Sequence, residues 1–472
     1  MSITLPAEFE ERMKALLGSE YSDFLEAYGE SNYHSLRLRD ASFVMPEGMR
    51  ESFKLRPVPW CKTGFYYDEE SRPGRHPYHH AGMYYIQEPS AMLVGEVADA
   101  KPGMKVLDLC AAPGGKTSHL AGMMQGEGVL VANEVVPNRA KILSQNVERM
   151  GIKNCIVTSE YPDKLARNMS AYFDLIVVDT PCSGEGMFRR DEIARTEWSP
   201  ENVTMCAKRG QGILDEADKM LKMGGRLVYS TCTFAVDEDE KAVTEFIKSH
   251  PYYSIEKIEL QKSDGAKDSD GWPSPGRCEW SDGSVSGIEN TYRLWPHLLH
   301  GEGHYVAVLR KDGEAAIIKS RLVKKSGDNA LSSAVKLYEE WAKGNLKVNL
   351  NGEYRLFGDN LYLMPEGAPN IERLKVERAG LHLGEIKKNR FEPAHALAMA
   401  LTPDAVKESY DIKVSADGDV EALKYLRGES LNTNLTVNGW ILITVDNCSI
   451  GWGKISGGVI KNHYPKGLRI KM

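Results

Sequence analysis

Two cysteines stand at the polar ends of apolar runs. Cys182 follows Phe173-Asp174-Leu175-Ile176-Val177-Val178-Asp179 through Thr180-Pro181, and Cys232 follows Gly225-Arg226-Leu227-Val228-Tyr229-Ser230 through Thr231. A thiol attacks as its thiolate, and a cationic partner or a helix N-terminus lowers its pKa. Two such thiols beside the carboxyl group of Asp179 suit covalent catalysis on a pyrimidine ring. Carbon 5 of cytosine or uracil is a poor nucleophile. Thiolate addition at carbon 6 makes the ring enamine-like, so that carbon 5 can take a methyl group. This needs a thiolate, an acid near nitrogen 3, and a base to remove the carbon-5 proton before the thiol leaves. The residues alone leave open which cysteine attacks. Two buried structural cysteines are the plainer alternative, but both thiols sit where strands end, beside Thr, Ser, Gly or Pro.

A methyl group needs a donor. Met104 to Cys110 reads as a strand, Ala111 to Thr117 as a small-residue loop, Ser118 to Met124 as a helix, and Val129 to Glu134 as a second strand ending in an acid. Strand, Gly-rich turn, helix and acid together suit a nucleotide-like ligand, the acid holding a ribose diol. Glu134 lies 19 residues after Gly115. A P-loop needs Gly where Cys110 stands, and no Gly-x-Gly-x-x-Gly is present. S-adenosylmethionine fits what remains, its ribose at Glu134 and its amino-acid end at Ala111 to Lys116. A loop that only packs is the alternative.

The elements that must position these groups follow from the pattern. Short apolar runs with β-branched centres read as buried parallel strands. If the two cysteine-bearing strands are neighbours, their tips lie about 5 Å apart. Open α/β sheets place their sites at such carboxyl ends. A helix is expected from Pro137, with Ala140, Leu143, Val147 and Met150 on one face and Gly151 at its stop. Strands and helices alternate to about Arg310, giving a doubly wound sheet. Ser199-Pro200-Glu201 reads as an N-cap, a Pro at the first position and a first-turn acid, so Glu201-Asn202-Val203 marks a helix start.

The flanks are simpler. Helices are expected over Pro6 to Gly18 and around Tyr21 to Tyr28. Arg72 to His80 reads as a solvated loop in preference to a metal loop. Lys311 to Lys325 reads as a linker and Ala334 to Trp341 as an amphipathic helix. Strands follow at Glu353 to Phe357, Asn360 to Met364 and Leu374 to Glu377, then a helix at Ala394 to Leu401, and strands at Trp440 to Val445 and Cys448 to Trp452. The end, Lys461 to Met472, holds four cationic residues and no acid. Its His463 and Tyr464 suit RNA backbone and bases, with a plain basic tail as the alternative.

A chain of 472 residues divides into three or four domains. No apolar stretch is of membrane-spanning length, and the start lacks a secretory signal, so a cytoplasmic location is expected. None of the eight cysteines falls in a Cys-x-x-Cys pair, so no metal site is expected. A formal charge of −7 argues against a wholly basic nucleic-acid binder but leaves local patches open.

Three motifs carry a resemblance. Asp108-Leu109-Cys110-Ala111-Ala112-Pro113-Gly114-Gly115-Lys116-Thr117, Asp179-Thr180-Pro181-Cys182-Ser183-Gly184-Glu185-Gly186-Met187-Phe188-Arg189-Arg190 and Tyr229-Ser230-Thr231-Cys232-Thr233 match cofactor, substrate and nucleophile motifs. The chain resembles the RNA 5-methylcytidine methyltransferases of the NOL/NOP/Sun group, and most of all the bacterial RsmF branch, which modifies small-subunit ribosomal RNA. The resemblance is strong over Met83 to Arg310. It implies that Cys232 is the nucleophile and that Cys182 assists release of the methylated base. It places Lys116 and Asp179 near the methyl donor and target base. It puts Cys110, Ala111, Ala112, Pro113, Gly114, Gly115, Lys116, Glu134, Arg139 and Asp179 on the cofactor side.

The expected fold is α/β, a doubly wound Rossmann-like methyltransferase sheet with a small N-terminal domain and C-terminal α+β and PUA-like RNA-binding domains. The expected boundaries are 1–82, 83–312, 313–402 and 403–472. The expected activity is methyl transfer from S-adenosylmethionine to carbon 5 of cytidine in 16S ribosomal RNA by a monomer, with ribosomal RNA or the 30S subunit as partner and no membrane or metal. The alternatives are a transfer RNA methyltransferase of the same chemistry, a ribosome-assembly factor that binds RNA without turnover, and a DNA methyltransferase attacking from Cys182.

Overall fold

Strict alternation along short apolar strands builds the centre of the molecule. The computed structural model describes residues 4–30, 32–313, 329–414 and 420–470. Five parallel strands lie in the order Leu221–Thr231, Phe173–Asp179, Lys105–Asp108, Val129–Asn133 and Cys155–Thr158. Successive side chains point to opposite faces. Leu107, Val131, Ile176, Val178 and Leu227 pack into one core. Val106, Leu130, Leu175, Val177 and Val228 pack into the other. Strand order reverses between Lys105–Asp108 and Phe173–Asp179, which makes the switch point where α/β sheets bind ligands.

Helices cover this sheet as their end signals require. Helix Pro137–Arg149 starts on proline and buries Ala140, Leu143 and Val147. Helix Pro200–Met220 is capped by Ser199, whose side chain accepts from Asn202 N at 3.1 Å. Glu201 thus belongs to a helix start, as the sequence predicts.

Antiparallel strands extend the sheet to ten, and two of them flank the parallel five. His304–Lys311 pairs with Leu221–Thr231 in a register that sets Tyr305 opposite Thr231. Lys311 therefore ends a strand, not begins a linker, and its Nζ reaches Asp218 Oδ1 at 2.8 Å. The rest of the expected linker, from residue 314, lies outside the described residues. At the other edge Val376–Ala379 pairs with Cys155–Thr158. This strand, expected at Leu374 to Glu377 among its sequence neighbours, instead completes the central sheet.

Three smaller sheets surround this one. Arg56–Pro57, Gly64–Tyr66, Ser35–Leu38 and Tyr84–Ile86 form the first. Glu353–Phe357, Asn360–Met364, Leu381–Lys387 and Arg390–Pro393 form the second. Ser409–Ile412, Gly439–Val445, Cys448–Ser456, Val459–Asn462 and Leu431–Asn432 form the third. The first and third share one core, in which Leu36, Phe65 and Tyr84 join Ile441, Ile443 and Ile455. The two ends of the chain thus pack together.

Two flank readings need correction. Pro73–Arg75 is a 3-10 turn with Pro73 buried and Pro77–His80 a short helix with Tyr78 buried, so within the Arg72 to His80 segment only Arg72, Gly74 and Arg75 are exposed. The C-terminal segment is no free tail: Lys461 lies in strand Val459–Asn462, and Tyr464 is 4% exposed beside Tyr425 and His395. That tyrosine is core, not a platform for bases. No described helix is long and apolar enough to cross a membrane.

Candidate active site

The two thiols meet at the switch-point end of the sheet. Because their strands are parallel neighbours with Asp179 opposite Ser230, the loops after them run side by side. Cys182 Sγ lies 3.2 Å from Cys232 Sγ and accepts from Cys232 N at 3.2 Å. Both cysteines are free and partly exposed. Gly186 N donates to Cys232 O at 2.9 Å, so the loop after Cys182 folds back over the loop that carries Cys232.

The protein's own groups do not lower the pKa of Cys182, as a strand-tip position suggests. The hydrogen bond with Cys232, burial, and the negative charges of Glu238 and Asp179 together push it well above the usual thiol range.

Asp179 behaves in the opposite way. Burial alone raises a carboxyl pKa. Here Lys116, with Nζ 2.7 Å from Oδ2, and His304, with Nε2 3.7 Å from Oδ1, outweigh burial and hold it well below the carboxylate range. Ser230 Oγ donates to Oδ1 at 2.8 Å. Asp179 is therefore a carboxylate at neutral pH, an acceptor.

The loop Cys110 to Lys116 lies beside this pair. Ala111 N donates to Asn133 O at 2.8 Å, and Arg139 Nη2 to Ala112 O at 3.0 Å. Asn146 Nδ2 donates to Pro113 O at 2.8 Å. Gly114 has φ +113°, a backbone that L side chains rarely adopt, and the helix Gly115–Met124 starts from it. Glu134 is buried; its Oε1 accepts from Val136 N at 2.9 Å and its Oε2 lies 3.4 Å from Arg139 Nη1. A carboxylate has acceptor capacity beyond these two contacts. The loop, Glu134 and Arg139 thus form one connected group that reaches Asp179 through Lys116.

The loop fits an amino-acid-bearing nucleoside on its own chemistry. Asp108 Oδ1 is buried with no hydrogen-bond partner among the described residues, while Oδ2 accepts from Thr117 Oγ1 at 2.6 Å. Burial pushes the Asp108 pKa up to about 7, against the Thr117 bond and the charge of Lys116. A spare buried acceptor beside open loop backbone suits a ligand that brings donors.

Several groups here escape the sequence reading. His304 arrives on the antiparallel strand, a pairing that nothing local announces. Glu238, Asp239 and Glu240 look like a solvated acidic run before helix Glu240–Ser249, yet all three are buried. Thr231 Oγ1 donates to Asp239 Oδ1 at 2.6 Å, and Arg293 Nη1 lies 3.0 Å from Asp239 Oδ2. Glu185 in the Cys182 loop accepts from Trp198 Nε1 at 2.9 Å and pairs with Arg12 of helix Ala7–Leu17 at 2.6 Å. The usable signal was position: all these acids fall within eight residues after a cysteine.

One group of possible metal ligands lies elsewhere. Cys61, Glu96 and His119 bring one ligand atom each within 4.8 Å of one another. Their wide sequence spacing hides them from a motif search. The buried Arg37 guanidinium faces Glu96 and Cys61 and has only neutral hydrogen-bond acceptors, so the Glu96 carboxylate already serves as its counter-charge.

Four family models match in succession along the chain. They are the N-terminal domain of 16S rRNA methyltransferase RsmF over residues 5–89, 16S rRNA methyltransferase RsmB/F over 96–310, the RsmF rRNA methyltransferase first C-terminal domain over 340–401, and the methyltransferase RsmF PUA domain over 413–470. The ribosomal RNA small subunit methyltransferase F of Vibrio vulnificus (strain YJ016) is 30% identical, covering 99% of this chain and 98% of its own length. That of Shewanella oneidensis is 31% identical over 90% of this chain and 86% of its own. The crystal structure of a methyltransferase homolog from Pyrococcus horikoshii superposes with a TM-score of 0.56 at 27% identity, over 66% of this chain and 96% of that one.

Proposed function

The chain belongs to the RsmB/F family of 16S rRNA methyltransferases, and from that premise we propose that it methylates carbon 5 of cytidine in small-subunit ribosomal RNA through a covalent cysteine–pyrimidine intermediate. The observation that carries this reading is the pair of thiols 3.2 Å apart beside the Lys116–Asp179 pair. Binding RNA without turnover needs neither thiol.

When bound, S-adenosylmethionine supplies an electrophilic methyl group. The backbone of Cys110 to Lys116 and the Glu134 carboxylate hold its two ends, and Arg139 braces that loop. Cys232 Sγ adds to carbon 6 of the ring, and the electron pair moves toward carbon 5. Asp179, kept ionised, accepts from the exocyclic amino group and from nitrogen 3 when that nitrogen is protonated. After methylation the carbon-5 proton leaves to solvent, Cys182 beside the departing sulfur assists the release, the ring double bond re-forms, and the carbon–sulfur bond breaks with its electrons returning to Cys232. The target base must leave its stack to reach the thiol.

The reading extends to the flanks. Residues 1–82, 313–402 and 403–472 hold ribosomal RNA, free or within the 30S subunit, by shape and phosphate contacts around the methyltransferase unit 83–312. The enzyme works as a cytoplasmic monomer without a metal.

Labelled cofactor with separate pools of ribosomal RNA, transfer RNA and DNA tests the substrate. Label in ribosomal RNA as 5-methylcytidine is expected; label in DNA or transfer RNA alone overturns the reading. Cys182→Ala is expected to accumulate a covalent RNA adduct and Cys232→Ala to form none. The reverse pattern exchanges the two roles.

A further inference from the structure

We propose that Glu238 is a positioning residue that locks the two cysteine loops together, holding Cys182 against Cys232 for release of the methylated base. The inference rests on the covalent reading above and adds a residue that neither motif contains.

The geometry is specific. Glu238 is 2% exposed, and its carboxylate grips one residue twice. Ser183 N donates to Oε2 at 3.0 Å and Ser183 Oγ donates to Oε1 at 2.5 Å. A serine hydroxyl has one proton. That proton goes to Glu238, so in the 2.7 Å contact between Ser183 Oγ and Thr233 Oγ1 it is Thr233 that donates. The chain Thr233, Ser183, Glu238 is thus directional, and its first two members directly follow Cys232 and Cys182. Any slip between the loops breaks it.

Packing alone does not explain an acid here. No ion pair reaches the Glu238 carboxylate among the described residues, and a buried carboxylate without one destabilises a fold. The charged and titratable groups facing it are Glu185, Arg12, Cys182, Cys206, Tyr229 and Asp239. Arg12, the one cation of the six, pairs with Glu185. Burial and the charge of Glu185 push the Glu238 pKa up to about 7, against the two Ser183 bonds. Protonation would reverse the Ser183 Oγ bond and turn two charge-assisted hydrogen bonds into neutral ones. The lock is therefore tightest in the ionised form and loosens below about pH 7.

The test uses the full chain, S-adenosylmethionine and an unmodified 16S rRNA transcript. Glu238→Gln and Ser183→Ala are each compared with wild type, Cys182→Ala and Cys232→Ala. The expected result is a kcat lower by about tenfold or more with the RNA KM within about twofold. A covalent RNA–protein adduct should build up on denaturing gels, as for Cys182→Ala. Wild-type kcat should rise with pH through about 7, and Glu238→Gln should lack that limb. Adduct-free turnover at the wild-type rate in both variants, or an unchanged pH limb in Glu238→Gln, overturns the proposal. So does a complete loss of adduct in folded variants, since the lock would then serve attack. Should Glu238→Gln fail to fold by circular dichroism, the adduct level of Ser183→Ala decides. If wild type itself forms neither 5-methylcytidine nor, in Cys182→Ala, an adduct, the covalent reading falls and this inference with it. If those controls behave while Glu238→Gln resembles wild type, the inference falls alone.

Discussion

Two carboxylates lie near the thiols and show opposite behaviour. Asp179 faces a lysine and a histidine and stays ionised well below the ordinary carboxylate range. Glu238 faces the hydroxyl and amide of Ser183 and titrates near 7. Asp179 is 28% exposed and Glu238 2%, so burial adds to the difference. The partner sets its direction: a cation offsets the desolvation of a carboxylate, and neutral donors offset it only in part. One acid is thus a fixed charge paired with Lys116, and the other a group whose charge depends on pH and whose partners follow the thiols.

Removing the cation from the first should have the largest effect. Lys116→Met leaves the half-buried Asp179 with His304 and Ser230 as its remaining partners. Breaking a partly exposed pair costs less than a fully buried one, about 2–3 kcal/mol. Methyl transfer should fall by about a hundredfold, and the Asp179 pKa should rise. The sign for wild type follows from the lowered pKa: Asp179 contributes stability above the unfolded carboxyl pKa, and that contribution is lost as pH falls through the folded one. In Lys116→Met that loss should begin at higher pH. Activity assays and acid unfolding monitored by fluorescence would check both. Near-normal activity would mean that the pair is not needed for chemistry.

The second carboxylate predicts the reverse slope. Its folded pKa is raised, so the folded state holds the proton more tightly than the unfolded one between about pH 4.5 and 7. Stability should fall across that window and level off above it. Glu238→Gln removes the titration. The apparent melting temperatures of variant and wild type should diverge from pH 5 to pH 8 by the equivalent of about 3 kcal/mol, in the variant's favour at high pH. Parallel curves would show that Glu238 does not titrate in this range.

The strands and the meeting of the thiols were legible because their cause is local. Apolar β-branched runs with polar ends determine Phe173–Asp179 and Leu221–Thr231, and adjacent parallel strands bring Cys182 and Cys232 together. Ser199-Pro200-Glu201 was legible for the same reason, since a cap is written in three residues. What escaped depends on non-local pairing. His304 reaches Asp179 only because Tyr305 registers against Thr231. Val376–Ala379 joins a sheet whose neighbouring strand lies more than 200 residues away in sequence. Tyr464 was misread because composition cannot say which face of an edge segment is buried. The acids at 238 to 240 escaped for a related reason: a charge run is usually solvated, and only the fold shows that this one is enclosed.

Glu185 offers the smallest and sharpest variation, because it can be moved from one class to the other. It is fully buried, with Arg12 at 2.6 Å, Trp198 Nε1 at 2.9 Å and Phe234 N at 3.2 Å. Arg12→Ala would leave it with neutral donors alone, the condition of Glu238. Because Arg12 lies on the N-terminal helix and is about one-third exposed, solvent screens the pair and the loss should be modest, about 1–2 kcal/mol. Activity should fall by several-fold. The alternative assigns Arg12 to packing on Phe9 and Trp198, whose rings its guanidinium covers at 5.6 Å. Arg12→Lys separates the two directly: it keeps the charge beside Glu185 and gives up most of the ring contact, so activity should return close to the wild-type rate if charge is what matters and stay at the Arg12→Ala level if packing does.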